Sequence, residues 1–155
     1  MAHIKCIKLS KADKSDLMNL MNHPKVRRQM PLLKGYFDEN KCKKFVAAKE
    51  SLWMEHGYGP WAFMIDGVFA GWGGVQPENG TADLALVLHP DFWGVGRMLY
   101  QKIIHFAFNE LQLPSVTVLF PPTRTRVQGL LKLGFQEEGN VKIANKSFVR
   151  FCLYR

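Results

Sequence analysis

The segment from Asp83 to Gly96 reads Asp-Leu-Ala-Leu-Val-Leu-His-Pro-Asp-Phe-Trp-Gly-Val-Gly, and it limits the chain to few architectures. An apolar run of β-formers ends at His89-Pro90, turns, and enters a helix through Gly94-Val95-Gly96. The first N–H groups of a helix lack internal partners, and the helix dipole places partial positive charge there. Glycine admits a bulky anion to those amides without a Cβ in the way. A strand, a glycine turn and a helix start therefore predict a site for a phosphate-bearing cofactor. Two familiar phosphate devices are excluded. Leu99 stands where a dinucleotide fingerprint needs its third glycine, and no Gly-Lys-Ser/Thr occurs for a P-loop.

The elements around this segment order themselves by periodicity. Residues 3–9 read as a strand. Asp13 and Asp16 suit the start of a helix with Leu17, Leu20 and Met21 on one face, ended by Pro24. Asp38 caps a longer helix that Gly57 stops, and the loop between the two holds Arg27, Arg28, Met30 and Pro31. Strands over 60–65 and 68–75 are joined by Asp66-Gly67, a hairpin signal, and Asn79-Gly80 turns the chain into a strand over 82–88. A helix over 95–111 follows, with a broad apolar face that includes Leu99, Ile103 and Phe106. A short strand over 116–120, a helix over 123–133 ended by Gly134, and strands over 136–143 and 146–154 complete the chain. The fold class is α+β: a mixed, mostly antiparallel sheet of about seven strands, about four helices and one central parallel β-α-β crossover.

Length and composition narrow the function classes. The 155 residues suit one domain spanning 1–155, and 47% apolar with 22% charged residues is an ordinary soluble composition. No apolar run is long enough for a membrane span and no signal-peptide core is present, so a cytoplasmic, membrane-free protein is expected. Cys6, Cys42 and Cys152 are odd in number and far apart, which fits reduced thiols better than disulfides or a zinc site; no metal is expected. The net charge of +8 fits a solvated basic surface, an anionic cofactor or nucleic acid. The basic residues are dispersed rather than gathered in a tail, which disfavours nucleic acid.

Four features together resemble the GNAT superfamily of acetyl-CoA-dependent N-acetyltransferases, in the branch of ribosomal-protein and polyamine acetyltransferases. Gly57-Tyr58-Gly59-Pro60-Trp61-Ala62-Phe63 with Gly67–Trp72 is similar to that branch's central hairpin. Leu86–Gly96 is similar to its strand and pyrophosphate loop, Leu130-Leu131-Lys132-Leu133-Gly134-Phe135 to its late signature, and the element order matches throughout. The resemblance implies acetyl-CoA as co-substrate and a small-molecule or peptide amine as acceptor. It implies direct attack in a ternary complex. Against the family's pyrophosphate loop, Gln/Arg-x-x-Gly-x-Gly/Ala, the window here is Trp93-Gly94-Val95-Gly96-Arg97-Met98. Gly96 is the key glycine; Trp93 replaces a polar residue and Met98 a small one. Leu86, Val87 and Leu88 are implied to offer main-chain groups to the pantetheine arm, and Thr123 falls where the family caps its late helix with Asn. Dimers through the late strands are common in this fold. Here Phe148, Phe151 and Tyr154 serve that purpose or complete the core.

Acetyl transfer requires a neutral amine, a polarised thioester and a stabilised leaving thiolate. Asp83 is the base candidate by family position. About four residues, or roughly 13 Å, separate it from Val87, so it acts through water or is a structural carboxylate. The usual donor positions hold Leu130 for Tyr and Arg126 for Ser. Arg126 is left to stabilise thiolate, to bind phosphate or to face solvent. His89, directly before Pro90, has a suitable intrinsic pKa or shapes the turn. Trp61 belongs to the core or closes an acceptor pocket. Arg27 and Arg28 favour an acceptor that bears a carboxylate. Two other classes stay open: a GNAT-fold module that binds acyl-CoA without turnover, and a basic nucleic-acid- or ribosome-associated protein.

Overall fold

The computed structural model describes residues 3–78, 80–124 and 127–155. Seven strands form one sheet in the order β1-β2-β3-β4-β5-β7-β6. They are β1 (Ile4–Lys8), β2 (Pro60–Ile65), β3 (Val68–Glu78), β4 (Thr81–Leu88), β5 (Ser115–Phe120), β6 (Gln136–Ile143) and β7 (Lys146–Tyr154). Every neighbouring pair is antiparallel except β4 with β5. The expected single parallel step is therefore present at the centre of the sheet.

The helices are α1 (Lys14–Asn22), α2 (Pro24–Arg27), α3 (Glu39–His56), α4 (Gly96–His105) and α5 (Gln128–Lys132). Asp13 accepts from the Ser15 amide and caps α1, and Asp38 accepts from Lys41 and caps α3. Gly57, at φ +78, closes α3 by donating to the Trp53 carbonyl. The hairpin turn at Asp66-Gly67 has φ of 51° and 81°, the left-handed pair that a two-residue turn between twisted strands requires. Gly80, with φ +77, supports the turn expected beside it; Asn79 lies outside the described residues.

Alternation along the strands sorts the side chains into two cores. On one face, Leu84 and Leu88 of β4, Val116 and Val118 of β5 and Phe151 of β7 pack against Leu99, Ile103 and Ala107. On the other, Ala62 and Trp72 meet Leu17, Leu20 and Met21 of α1, Val26 of α2 and Cys42 of α3. The sheet thus lies between α1–α3 and α4–α5.

Three details depart from the sequence reading. The loop expected after Pro24, holding Arg27 to Pro31, begins as α2, because His23 accepts from the Lys25 amide and Pro24 occupies the first helical position. The helix expected over 95–111 changes to a wider π turn over Phe106–Glu110. Among the described residues the helix expected from 123 is α5 from Gln128, capped at Val127 rather than Thr123, and Arg124 donates to Pro121 in a separate turn. Phe148 and Phe151 are buried within this chain, and the Tyr154 hydroxyl donates to Glu138 at 2.8 Å. Among the described residues no helix is long and apolar enough to cross a membrane.

Candidate active site

The site begins where β4 loses a neighbour. His89 donates to the Ala70 carbonyl at 2.8 Å, which fixes the alternation of the antiparallel ladder. Asp83, Ala85 and Val87 then exchange main-chain bonds with Gln76, Gly74 and Trp72 of β3, whereas Leu84, Leu86 and Leu88 turn theirs toward β5. Strand β5 meets β4 in register at one pair, Asp83 with Thr117. Beyond that pair the two strands part. The Ala82 carbonyl at the closed end accepts the Thr117 hydroxyl at 3.3 Å. At the open end the Leu88 carbonyl accepts the Trp93 indole at 2.9 Å. Between them, the Leu86 main chain faces a gap.

That gap is part of a cleft of about 740 Å³. One half is walled by Leu86, Leu88, Trp93, Gly96, Tyr100 and Phe120, the other by Met30, Leu33, Trp72, Asp83, Ile143 and Phe148. The first half ends on the glycine turn. Pro90–Val95 winds as a 3-10 turn capped by His89, whose Nδ1 accepts from the Asp91 amide at 3.1 Å. The His89 ring also stands edge-on to His23 at 5.2 Å, which ties α2 to this turn. Helix α4 then starts at Gly96 with no side-chain cap from Val95; Gly96 itself donates to the Trp93 carbonyl. A Cβ placed on Gly94 would meet nothing within 4 Å, and one on Gly96 only Leu88 Cδ1 at 3.8 Å. The uncapped helix start therefore stands before open space, as a diphosphate requires.

The expected cofactor residues divide on this geometry. Leu86, Val87, Leu88, Trp93, Gly96 and Thr123 line the cleft. Val87 does so with its side chain, because its main chain is bonded to Trp72. Gly94 and Val95 shape the turn, while Arg97 and Met98 are exposed and off the lining. Met98 is 48% exposed.

The expected catalytic residues divide as well. Asp83 lies at the crotch where β4 and β5 separate, and its Oδ1 is buried without a hydrogen-bond partner among the described residues. Burial and the nearby Glu78 push its carboxyl up to about 7, against the opposing influence of Thr117, Lys49 and Arg150. Arg126 lies outside the described residues. Leu130 is 5% exposed and belongs to the core. Trp61 packs against Phe106 at 4.7 Å and is not on the cleft wall. Arg27 bonds Asn22 and the Leu33 carbonyl, and neither it nor Arg28 lines the cleft, so nothing on the wall supports the expected carboxylate contact.

Several site residues escaped the sequence reading. Tyr100, one helical turn after Gly96, is on the cleft wall rather than only in the apolar face; burial pushes its hydroxyl up, partly opposed by the Arg124 guanidinium. Lys49 of α3 donates to Gln76 and lies 5.3 Å from the Trp72 ring centre, with its ammonium pushed down by burial. Gln76 is the register partner of Asp83, and the Lys49 charge favours the ionised carboxylate. Among the described residues no group of three His, Cys, Asp or Glu side chains could hold a metal ion.

Comparison with known proteins agrees with this fold. Residues 6–136 match the family model of the acetyltransferase (GNAT) domain. The fold is similar to that of a GNAT-family acetyltransferase from Bacillus anthracis, with TM-score 0.75, 17% identity and coverage of 99% of this chain and 94% of that one. An acetyltransferase from Agrobacterium tumefaciens gives TM-score 0.80 at 15% identity, covering 98% and 91%. A variant of the spermidine N-acetyltransferase from Vibrio cholerae gives TM-score 0.71 at 14% identity, covering 99% and 93%. At these identities the structures speak for the fold, and the model spanning most of the chain speaks for the family. The chain belongs to the GNAT acetyltransferase family.

Proposed function

We propose that the protein transfers acetyl from acetyl-CoA to a primary amine, by direct attack within a ternary complex. The observation that carries this is the parting of β4 from β5, which leaves Leu86 main-chain groups facing a cleft that runs from an open helix start to a buried carboxylate. Amide-bearing pantetheine suits an unpaired strand edge, as a peptide would. The amides at the start of α4 suit the diphosphate, with Gly94 and Gly96 keeping the approach clear.

Asp83 takes the amine's proton in this reading. A group with a pKa near 7 is half ionised at neutral pH, where a base works best. Asp83 lines the cleft, so its carboxylate can accept from an N–H of the acceptor, directly or through one water. Tyr100 is the candidate donor to the departing thiolate, because burial keeps its hydroxyl protonated. This chain thus replaces the missing late-helix tyrosine with one from α4.

The test is acceptor-dependent thiol release from acetyl-CoA across a panel of amines, with product mass recorded. A second reading, a module that binds acyl-CoA without turnover, is favoured by the apolar Leu130 at the usual donor position. It predicts cofactor binding with no thiol release on any amine. Failure to bind acetyl-CoA at all would remove both readings.

A further inference from the structure

The acceptor half of the cleft selects its amine by an uneven distribution of charge. Its wall is built from Val26, Met30, Leu33, Trp72, Ile143 and Phe148, which bring together α2, the segment after it, β3 and the β6–β7 hairpin. The two acidic residues on the described wall, Asp83 and Glu78, lie together near the β3–β4 turn. Three cations stand near this half without lining it. The Lys49 ammonium is held by Gln76 and by the faces of Phe45 and Trp72, Arg150 is near enough to favour the ionised Asp83 carboxylate, and Arg27 is bonded to Asn22. The described cation on the lining, Arg124, lies over the Phe120 ring in the other half.

We propose that the acceptor is a monoamine on an apolar body, such as an aryl- or branched-alkyl amine. It enters as its ammonium ion, headed toward Asp83 and Glu78, with its body against the apolar wall. The proposal rests on the amine-acetylation reading and adds the class of amine. Three physical arguments exclude the alternatives. A polyamine needs carboxylates spaced along the wall for its further charges, and beyond the single pair the described wall adds only the neutral amides of Gln29 and Gln76 to apolar side chains. An amino acid brings a carboxylate toward two others, with no cation among the described lining residues on that side to receive it. A simple short amine forfeits the wall, since each buried methylene contributes about 0.8 kcal/mol of transfer free energy, or about fourfold in binding.

The experiment compares five acceptors at fixed acetyl-CoA: 2-phenylethylamine, methylamine, phenylalanine, spermidine and the peptide amide Phe-Ala-Ala-NH2. Binding to the CoA-loaded protein is read in parallel by tryptophan fluorescence, which Trp72 on the wall makes responsive. The expected kcat/KM for 2-phenylethylamine exceeds that for methylamine and phenylalanine by about a hundredfold and for spermidine by about tenfold. In Leu32→Glu, an exposed wall position, spermidine should improve by about fivefold relative to 2-phenylethylamine. Preferred turnover of spermidine, of phenylalanine or of the peptide amide would overturn this inference while leaving acetyl transfer intact. Saturable binding of 2-phenylethylamine without thiol release would support the inference and remove the transferase reading. No binding and no turnover of 2-phenylethylamine would overturn the inference whatever the others do.

Discussion

The two halves of the cleft are made differently. The half that faces the glycine turn is mainly backbone: the Leu86 edge of β4, the uncapped start of α4 and the open space over Gly94. The acceptor half is side chains from distant segments, with Met30, Trp72, Asp83 and Phe148 converging from α2 to β7. A backbone site tolerates side-chain change around it, which is why Trp93 and Met98 at unusual positions leave the turn's geometry intact. A side-chain site has no such tolerance. Each substitution there alters shape or charge, so on the proposed reading the acceptor half sets specificity.

The largest expected effect separates the halves cleanly. Asp83→Asn should lower kcat by about a hundredfold or more, the usual scale for loss of a general base, with acetyl-CoA affinity unchanged. The same substitution has a stability signature. The folded carboxyl holds its proton up to about pH 7, whereas the unfolded one releases it near 4, so ionisation costs stability as pH rises through that window. Asn removes this cost. Thermal unfolding should show Asp83→Asn more stable than wild type by about 1–3 kcal/mol at pH 8, with the gap closing toward pH 4.

Tyr100→Phe should lower kcat by about tenfold or more and leave acetyl-CoA binding in place, as loss of a proton donor does. Steady-state kinetics alongside calorimetry checks this; equal losses in kcat and affinity would instead make Tyr100 part of the cofactor wall. Gly94→Val should act oppositely. Its side chain enters space that nothing in the fold occupies, so folding should survive while acetyl-CoA affinity falls by about tenfold as the approach to the amides narrows. The smallest effect is a displacement rather than a loss. Lys49→Met removes a cation that favours ionised Asp83, so the rising limb of the pH–rate profile, expected near 7, should move to higher pH. A limb that stays in place would disconnect Lys49 from the carboxylate.

The same contrast explains what was legible in the sequence. The strand order, the hairpin at Asp66-Gly67 and the phosphate turn could be read because each depends on neighbours in sequence: alternation, a left-handed pair, a glycine beside a helix start. Leu86 and Leu88 could be named, but which of the three β4 residues turns its main chain outward depended on the register with β3. Tyr100 was counted only as part of an apolar face, since helical periodicity records which side a residue takes and not that β4 and β5 leave a gap beneath it. Lys49, some thirty residues from Asp83 in sequence, gave no local signal that its charge favours the ionised carboxylate. Thr123 was misjudged as a helix cap because the turn at Pro121–Arg124 competes for the same residues.

The central claim is that the half facing the glycine turn binds the donor and that Asp83, in the acceptor half, takes the acceptor's proton. Calorimetric titration of acetyl-CoA into wild type, Asp83→Asn and Gly94→Val tests it most directly. The account predicts binding in the micromolar range for wild type, the same affinity for Asp83→Asn, and about tenfold weaker binding for Gly94→Val in a protein that unfolds normally. Absence of binding to wild type, or its loss in Asp83→Asn with Gly94→Val unaffected, would contradict it.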